Sequence, residues 1–123
     1  MATVFTNVGI VKVIAAIYGD VHTVPTYIGW GTGAGTAGVT DTTLFTEASE
    51  ARVNGTKTKQ QTTIANDTFQ VVGTLTADAG KTITNAGLFD ASTVGNMWIK
   101  GDFTGVVLAL GDSIQFTIKL AQA

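Results

Sequence analysis

Alternation of apolar and polar residues with a period of two is the feature that most constrains the fold of this chain. It is clearest in "DSIQFTIKL", residues 112–120, where every second side chain is apolar. Successive side chains of a β-strand point to opposite faces, so this segment is expected to form a strand with one buried face. Residues 97–103 alternate in the same way, and "TFQVVGTLTA" carries Phe69, Val71 and Leu75 on one face. The pattern predicts a fold built from strands.

A hairpin and an edge strand are predicted near the middle of the chain. Asn54-Gly55 is a dipeptide favoured in two-residue hairpin turns, because both turn positions take a positive φ. It lies between "EARV" and "TKTKQQTTI" and therefore predicts a hairpin between those two segments. Lys57 and Lys59 alternate with threonine in the second segment. Because exposed lysines discourage pairing with other chains, that segment is predicted to be an edge strand.

The spacing of the turns predicts how the strands are arranged. Gly111-Asp112 predicts a turn between "VVLAL" (residues 106–110), expected to be a short buried run, and the last strand. The chain has 22 threonines, 15 glycines and one proline, which favours pleated strands joined by glycine turns. About eight short strands with turn signals every ~8–12 residues predict an all-β fold, a β-sandwich or jelly-roll-like single domain over residues 1–123.

The N-terminal segment allows two interpretations. Valine and isoleucine in "VGIVKVIAAIYG", residues 8–19, favour a strand, whereas the two consecutive alanines would permit a short helix. We predict a strand, and residues 1–20 are expected to form an extended N-terminal arm or the first strand. One short helix or 3₁₀ turn is predicted near Leu44 to Ala48, with Asp41 as its N-cap.

A glycine motif, Gly33-x-Gly35-x-x-Gly38, matches the pattern of dinucleotide-binding turns, but its surroundings do not. Such a turn needs a helix whose N-terminus faces the pyrophosphate, and the β-branched residues at 39–43 start a helix poorly. The acidic residue expected ~20 positions later is also missing. We therefore predict a tightly turned surface loop at this motif.

Charge and residue types argue against several classes of function. Net charge is −2 with seven basic residues spread thinly, so the basic patch that nucleic-acid binding requires is missing. The chain contains no cysteine, and its lone His22 and scattered carboxylates form no recognisable metal-binding or catalytic pattern. The apolar run from Val8 to Ile17 is interrupted by Lys12 and is too short to cross a bilayer. We expect neither an enzyme nor a cofactor, and neither a nucleic-acid nor a membrane partner.

The two tryptophans are candidates for the core or for an interface. Large aromatic side chains fill cores and also dominate interface energetics, and core packing is the favoured interpretation for Trp30 and Trp98. Trp98, however, lies on the strand face opposite Met97 and Ile99, so both faces of that strand are apolar. A partner could cover one of those faces. Trp30, Met97, Trp98 and Ile99 are therefore candidate interface residues.

Three blocks of the sequence resemble small virion proteins of tailed bacteriophages, most closely the capsid decoration, or cement, class. The blocks are "GWGTGAGTAGVTDTTLFTEASEARVNGT", "NDTFQVVGTLTADAGKTITNAGLFDASTVGN" and "DFTGVVLALGDSIQFTIKL". The resemblance covers roughly residues 27–120 and rests on pattern, composition and a few specific stretches such as "NAGLFDA" and "GDSIQFT". It includes no catalytic signature.

The resemblance implies a role on the outside of a phage head. A protein of this class is expected to be a homotrimer that bridges neighbouring major capsid protein subunits, is made in the host cytoplasm and ends on the capsid exterior. The apolar N-terminal segment would then be an arm that contacts the shell or a sister subunit, with Val4, Phe5, Val8 and Ile10 as its candidate interface residues. Removing residues 1–9 would weaken attachment and leave the domain folded.

An alternative function is that of a phage tail or fibre component that binds a host receptor or glycan. Jelly-roll domains bind sugars, and an exposed Trp30 or Tyr27 could stack on one. A small enzyme is the least favoured interpretation, because no nucleophile–base pair or metal pattern is recognisable.

Overall fold

The alternating segments form the strands of two antiparallel sheets in the computed structural model, which describes residues 2–121. Strands β1 to β8 are Thr3–Phe5, Tyr27–Gly31, Val53–Asn54, Thr56–Gln60, Thr68–Thr76, Lys81–Phe89, Met97–Leu108 and Ser113–Ala121, and the helix α1 is Asn7–Tyr18. The larger sheet has the order β1-β7-β6-β2-β3, and the smaller sheet has the order β4-β5-β8. Two packed antiparallel sheets confirm the prediction of an all-β sandwich with eight strands.

The core lies between the two sheets and draws apolar side chains from both. Ile28 and Ile83 come from the larger sheet and Val71 from the smaller, and all three are fully buried. The rings of Trp30 and Phe116 of β8 meet in a T-shaped arrangement with 6.3 Å between their centroids, so the two sheets meet through an aromatic pair. A second, smaller cluster contains Leu44, Phe89 and Met97.

The hairpin predicted at Asn54-Gly55 is wrong. Here β3 pairs with β2 in the larger sheet, whereas β4 pairs with β5 in the smaller one, so the chain crosses between sheets at Gly55. The residues with positive φ include neither Asn54 nor Gly55. Glycine is needed for close approach instead, because a Cβ at this position would lie 2.6 Å from Cγ1 of Val71. The exposed strand β4 does lie at a sheet edge, as Lys57 and Lys59 predicted.

The strand predicted for residues 8–19 is also wrong, because this segment is the helix α1 and ends in a glycine cap. Thr6 starts the helix by accepting a hydrogen bond from the Gly9 amide, at 3.0 Å, and Gly19 ends it in the left-handed conformation, φ 101°. These caps outweigh the strand preference of valine and isoleucine, because intrinsic propensity is weak and tertiary contacts commonly override it. Of the predicted arm, Thr3–Phe5 pairs with β7 as a first strand.

Two further local predictions fail for reasons of tertiary contact. Leu44 to Ala48 forms no helix. The Asn85 side chain accepts a hydrogen bond from the Phe45 amide and donates one to the Phe45 carbonyl, and the Glu47 backbone forms an isolated β-bridge with Gly31. The run at residues 106–110 is buried only at Leu108, which belongs to the core, whereas Val106, Val107 and Leu110 are exposed. The Gly111 turn is present and has φ 89°.

Candidate interaction surface

Four of the candidate interface residues are buried inside the folded protein. Trp30 is 1% exposed and Trp98 is 6% exposed, and Met97 and Ile99 are buried as well. Trp98 packs in the core between the sheets, and its indole Nε1 donates to a carboxylate oxygen of Asp90 at 3.3 Å. Both faces of β7 at this point are therefore covered by the chain itself, which favours core packing over contact with a partner. Burial also removes Trp30 as a surface for stacking on a sugar.

The four N-terminal candidates are divided between the sheet and the helix. Val4 and Phe5 are half-buried in β1, and Phe5 packs against the core. Val8 is half-buried in the first turn of α1. Ile10 is the one candidate among the eight whose side chain is exposed. It belongs to a larger apolar surface that alternation in the sequence did not reveal.

The exposed side of α1 is almost entirely apolar. We call this surface the outward face, and its residues are Ile10, Val11, Ile14, Ile17 and Tyr18. Tyr18 is 84% exposed and Ile17 is 77% exposed. Large exposed apolar patches are uncommon on monomeric proteins, so the outward face is a candidate contact surface. The 3.6-residue spacing of these side chains was the signal that could have found it.

The inner side of α1 is fixed against β7 by close backbone contact. Thr6 is fully buried; its hydroxyl donates to the Met97 carbonyl at 2.7 Å, and its amide donates to the Trp98 carbonyl at 2.9 Å. A Cβ on Gly9 would lie 2.7 Å from that Trp98 carbonyl oxygen, so only glycine allows the helix to approach this closely. The outward face is therefore held at a defined position relative to the sandwich.

An apolar cavity of about 340 Å³ lies beside α1. Val13 and Ile17 of the helix form one wall, and Trp98 and Leu120 from the two sheets form another. His22 is the only ionisable side chain in its lining, and its Nδ1 lies 3.0 Å from the Asp20 carbonyl oxygen. A cavity with so few polar groups offers an apolar contact surface and no constellation for catalysis.

The glycine motif folds back on the chain itself. A Cβ at Gly33 would lie 2.7 Å from Oγ1 of Thr46, and one at Gly35 would lie 2.7 Å from the Phe45 ring. Residues 32–38 lead into further irregular structure and not into a helix. The glycines thus permit close packing around Phe45, and the helix N-terminus that a pyrophosphate site uses does not follow them.

Several charged side chains anchor this loop region to the larger sheet. The fully buried Lys100 donates from Nζ to Asp41 and to the Thr43 carbonyl, each at 2.9 Å, and lies 3.2 Å from the centroid of the Phe45 ring. The Gly38 amide, the largest cause, and the Lys100 ammonium lower the pKa of Asp41. The lysine is thus fully engaged in holding the loop.

Glu50 is the centre of a second anchoring cluster. It accepts hydrogen bonds from Lys81, from the Trp30 indole at 3.0 Å and from the Asp78 amide at 2.9 Å. Burial by itself would raise the pKa of Glu50, but these donors outweigh burial and lower it to about 2. The carboxylate is therefore ionised and structural at neutral pH. Among residues 2–121, no group of three or more His, Asp or Glu side chains could hold a metal ion.

Residues 2–121 also contain no helix of sufficient length and hydropathy to span a membrane.

Comparison with known proteins identifies the family. The model of the family described as "Podophage GP4 fiber I protein gp80" matches residues 6–122, which includes α1 and strands β2 to β8. Comparison with curated proteins and comparison with solved structures each gave no match. Because the match covers nearly the whole chain, the chain belongs to the podophage GP4 fiber I protein gp80 family, a family of phage virion structural proteins.

Proposed function

We propose that this chain is a structural subunit of a podophage fibre. The match to a fibre-protein family over residues 6–122 is the observation that carries the proposal. The fold supports it: a sandwich of eight strands is a stiff unit, and the outward face of α1 is an apolar surface through which such a unit can contact a neighbour. Lys100 and Asn85 hold the loop around Phe45 against the larger sheet.

The family match supports this role over decoration of the capsid shell. The decoration hypothesis expected the N-terminal segment to be an arm that contacts the shell or a sister subunit. Residues Thr3–Phe5 instead pair with β7, and Thr6 is buried against the same strand. Removal of residues 1–9 would take away a strand, the helix cap and Gly9, so it would damage the fold as well as any attachment.

The fibre role needs no receptor-binding activity in this domain. Stacking of a glycan on Trp30 is not available, because that side chain is buried and its indole nitrogen is bonded to Glu50. Tyr27 is half-buried. We therefore propose a structural role for this domain, and the experiment below also tests whether it binds a host receptor.

The proposal is tested by locating the chain in purified virions. Particles are dissociated into heads and tails, the fractions are separated, and the chain is quantified by mass spectrometry against the major head protein and a tail protein. Gold-labelled antibody against the chain provides an independent location by electron microscopy. We expect the chain in the tail fraction, in far fewer copies than the head protein, with label on fibres.

Co-fractionation with heads in near-equimolar amount would overturn the fibre proposal in favour of decoration. Inhibition of adsorption by added recombinant chain, together with the fibre location, would add receptor binding to its role.

A further inference from the structure

The strand β8 is a free edge of the smaller sheet. That sheet has the order β4-β5-β8, so β8 has β5 on one side and, among residues 2–121, no strand on the other. It pairs with β5 over nine consecutive residues, from Ser113 to Ala121, without a register shift. An edge of this length and regularity is a template on which another strand can pair.

The backbone of β8 divides into groups that bond to β5 and groups that face outward. The Ala77 amide donates to the Asp112 carbonyl at 2.8 Å, so these two residues form a hydrogen-bonded pair at the start of the ladder. Hydrogen-bonded and non-hydrogen-bonded pairs alternate along antiparallel strands. The backbones of residues 114, 116, 118 and 120 therefore bond to β5, whereas the amides and carbonyls of Gln115, Thr117 and Lys119 are directed away from it.

The features that protect edge strands from pairing are nearly absent from β8. Those features are short length, lysine, proline and bulges. The opposite edge of the same sheet, β4, has five exposed residues, and two of them are Lys57 and Lys59. β8 has nine residues, no proline and a single charge, Lys119. The smaller sheet is therefore protected at one edge and available for pairing at the other.

A cavity of about 180 Å³ opens beside this edge, between the two sheets. Thr3 of β1 and Phe103 of β7 line it on the larger sheet, and Phe116 and Ile118 of β8 line it on the smaller one. A cavity of about 150 Å³ holds a molecule of the size of benzene, so this space can take an apolar side chain. Alternate side chains of a strand added to β8 would point into the cavity, because successive side chains of a strand face opposite sides of its sheet.

Charge at the edge selects among extended segments. Lys119 is exposed and forms no ion pair among residues 2–121. Opposite charges at directly opposed positions stabilise a pair of strands, and like charges destabilise it. An acidic residue opposite Lys119 is therefore favoured in an added strand.

We propose that β8 accepts a strand from a different protein, which becomes the fourth strand of the smaller sheet. The added segment is extended, carries apolar side chains at alternate positions and places an acidic residue opposite Lys119. Its backbone bonds to the outward amides and carbonyls of Gln115, Thr117 and Lys119. Main-chain hydrogen bonds supply the affinity in this mode of recognition, and pockets for alternate side chains supply the specificity. The inference depends on the edge of β8 and not on the location of the chain in the virion.

The test uses overlapping synthetic peptides that cover the other proteins of the purified virion, arrayed and probed with the labelled full-length chain. We expect the peptides that bind to share alternating apolar residues and an acidic residue. Thr117→Pro removes one outward amide at a position where an edge strand tolerates proline, so binding should weaken roughly tenfold or more. Thr117→Ala keeps that amide and should bind as the natural chain does.

Lys57→Pro is the matched control on the opposite edge. By the same alternation the Val71 backbone bonds to β8, so Lys57, its partner in β4, directs its amide to solvent. This variant carries proline on an equally open edge and should keep full peptide binding. Circular dichroism checks that both proline variants are folded.

Two measurements test the geometry without changing the chain. N-methylation of a bound peptide at every second residue should abolish binding in one phase and leave it unchanged in the other, because only alternate amides of an added strand face β8. Amide hydrogen exchange should show new protection at Gln115, Thr117 and Lys119 when the peptide is added.

Three results would overturn the inference. The first is that no peptide binds, and the second is that folded Thr117→Pro binds peptides as tightly as the natural chain does. The third is that the outward amides are already protected without peptide, which would assign the edge to a second copy of the chain.

Discussion

At the scale of single residues, Thr6 and Gly9 decide how the N-terminus folds. The Thr6 side chain accepts from the Gly9 amide and donates to the Met97 carbonyl, so one hydroxyl serves both the helix and the sheet. Gly9 then allows α1 to lie directly on β7. A segment rich in β-branched residues is helical here because its start is fixed by these two positions.

Thr6→Ala is expected to lower the free energy of unfolding by about 1–2 kcal/mol, since it removes a helix cap and leaves a buried carbonyl with one partner fewer. Urea denaturation followed by circular dichroism measures the change. Thr6→Ser keeps the hydroxyl and should recover most of the loss. Equal stability of the alanine variant and the natural protein would contradict the capping role.

Gly9→Ala is expected to destabilise the protein by about 1–3 kcal/mol, even though alanine is the better helix former. The added Cβ would lie 2.6 Å from Cε1 of Phe5 and 2.7 Å from the Trp98 carbonyl oxygen, so α1 must move away from β7. Gly38→Ala is the control, because the nearest atom there is Oδ1 of Asp41 at 3.8 Å. Thermal unfolding compares the two, and a higher midpoint for Gly9→Ala would show that the contact is looser than described.

At the scale of elements, β4 is an exposed edge strand that lysine charge protects from pairing with other chains. All five of its residues are exposed, and it has no neighbour on the side away from β5. Lys57 and Lys59 stand on the same face of this strand. Lysine on an edge discourages the strand from pairing with other chains, so these two residues protect the protein from aggregation.

Replacing Lys57 and Lys59 together by valine is expected to speed aggregation on heating by severalfold while changing the unfolding midpoint little, because neither side chain is buried. Light scattering near the unfolding midpoint measures the rate. The matched control replaces Thr56 and Thr58 by valine, which adds apolar β-branched residues to the other face and keeps both charges. If both pairs aggregate equally fast, hydrophobicity and not lysine charge controls the edge.

At the scale of the whole molecule, ionised carboxylates tie the irregular segments to the sheets. Asp41 is bonded to Lys100, Glu50 to Lys81, and Asp67 accepts three backbone amides from residues 62–64. The Thr62 amide, followed by the Ile64 and Thr63 amides, lowers the pKa of Asp67 well below its ordinary value. Each such group favours the folded state only while it is ionised.

The protein is therefore expected to lose stability as the pH falls. The folded pKa of Glu50 is about 2 against an ordinary value of 4.5, so its contribution is complete above pH 4.5 and is lost as the pH falls toward 2. Glu50→Gln should be less stable at neutral pH and should show a shallower decline across this interval. Denaturation series at stepped pH measure the slope.

Asp20→Asn, on the exposed segment after α1, is the control and should keep the natural slope. A slope unchanged by Glu50→Gln would assign the acid sensitivity to other carboxylates.

Local pattern was sufficient for a large part of the fold. Alternation identified β5, β7 and β8, glycine identified the turn at Gly111, and the lysines identified the edge at β4. These features depend on the period of side chains along one strand and on backbone freedom at one residue. The fibre family could not be reached in that way, since composition and short stretches favoured the decoration class.

What the sequence determined by itself was therefore the existence and kind of most strands. The tertiary structure decided which segments meet. It placed Asn54-Gly55 at a crossing between sheets, made residues 7–18 a helix by fixing Thr6 on β7, and covered Trp98 from both sides. It also left the outward face of α1 uncovered. The physical reason is that periodicity is a property of neighbouring residues, whereas pairing, burial and exposure depend on segments far apart in the chain.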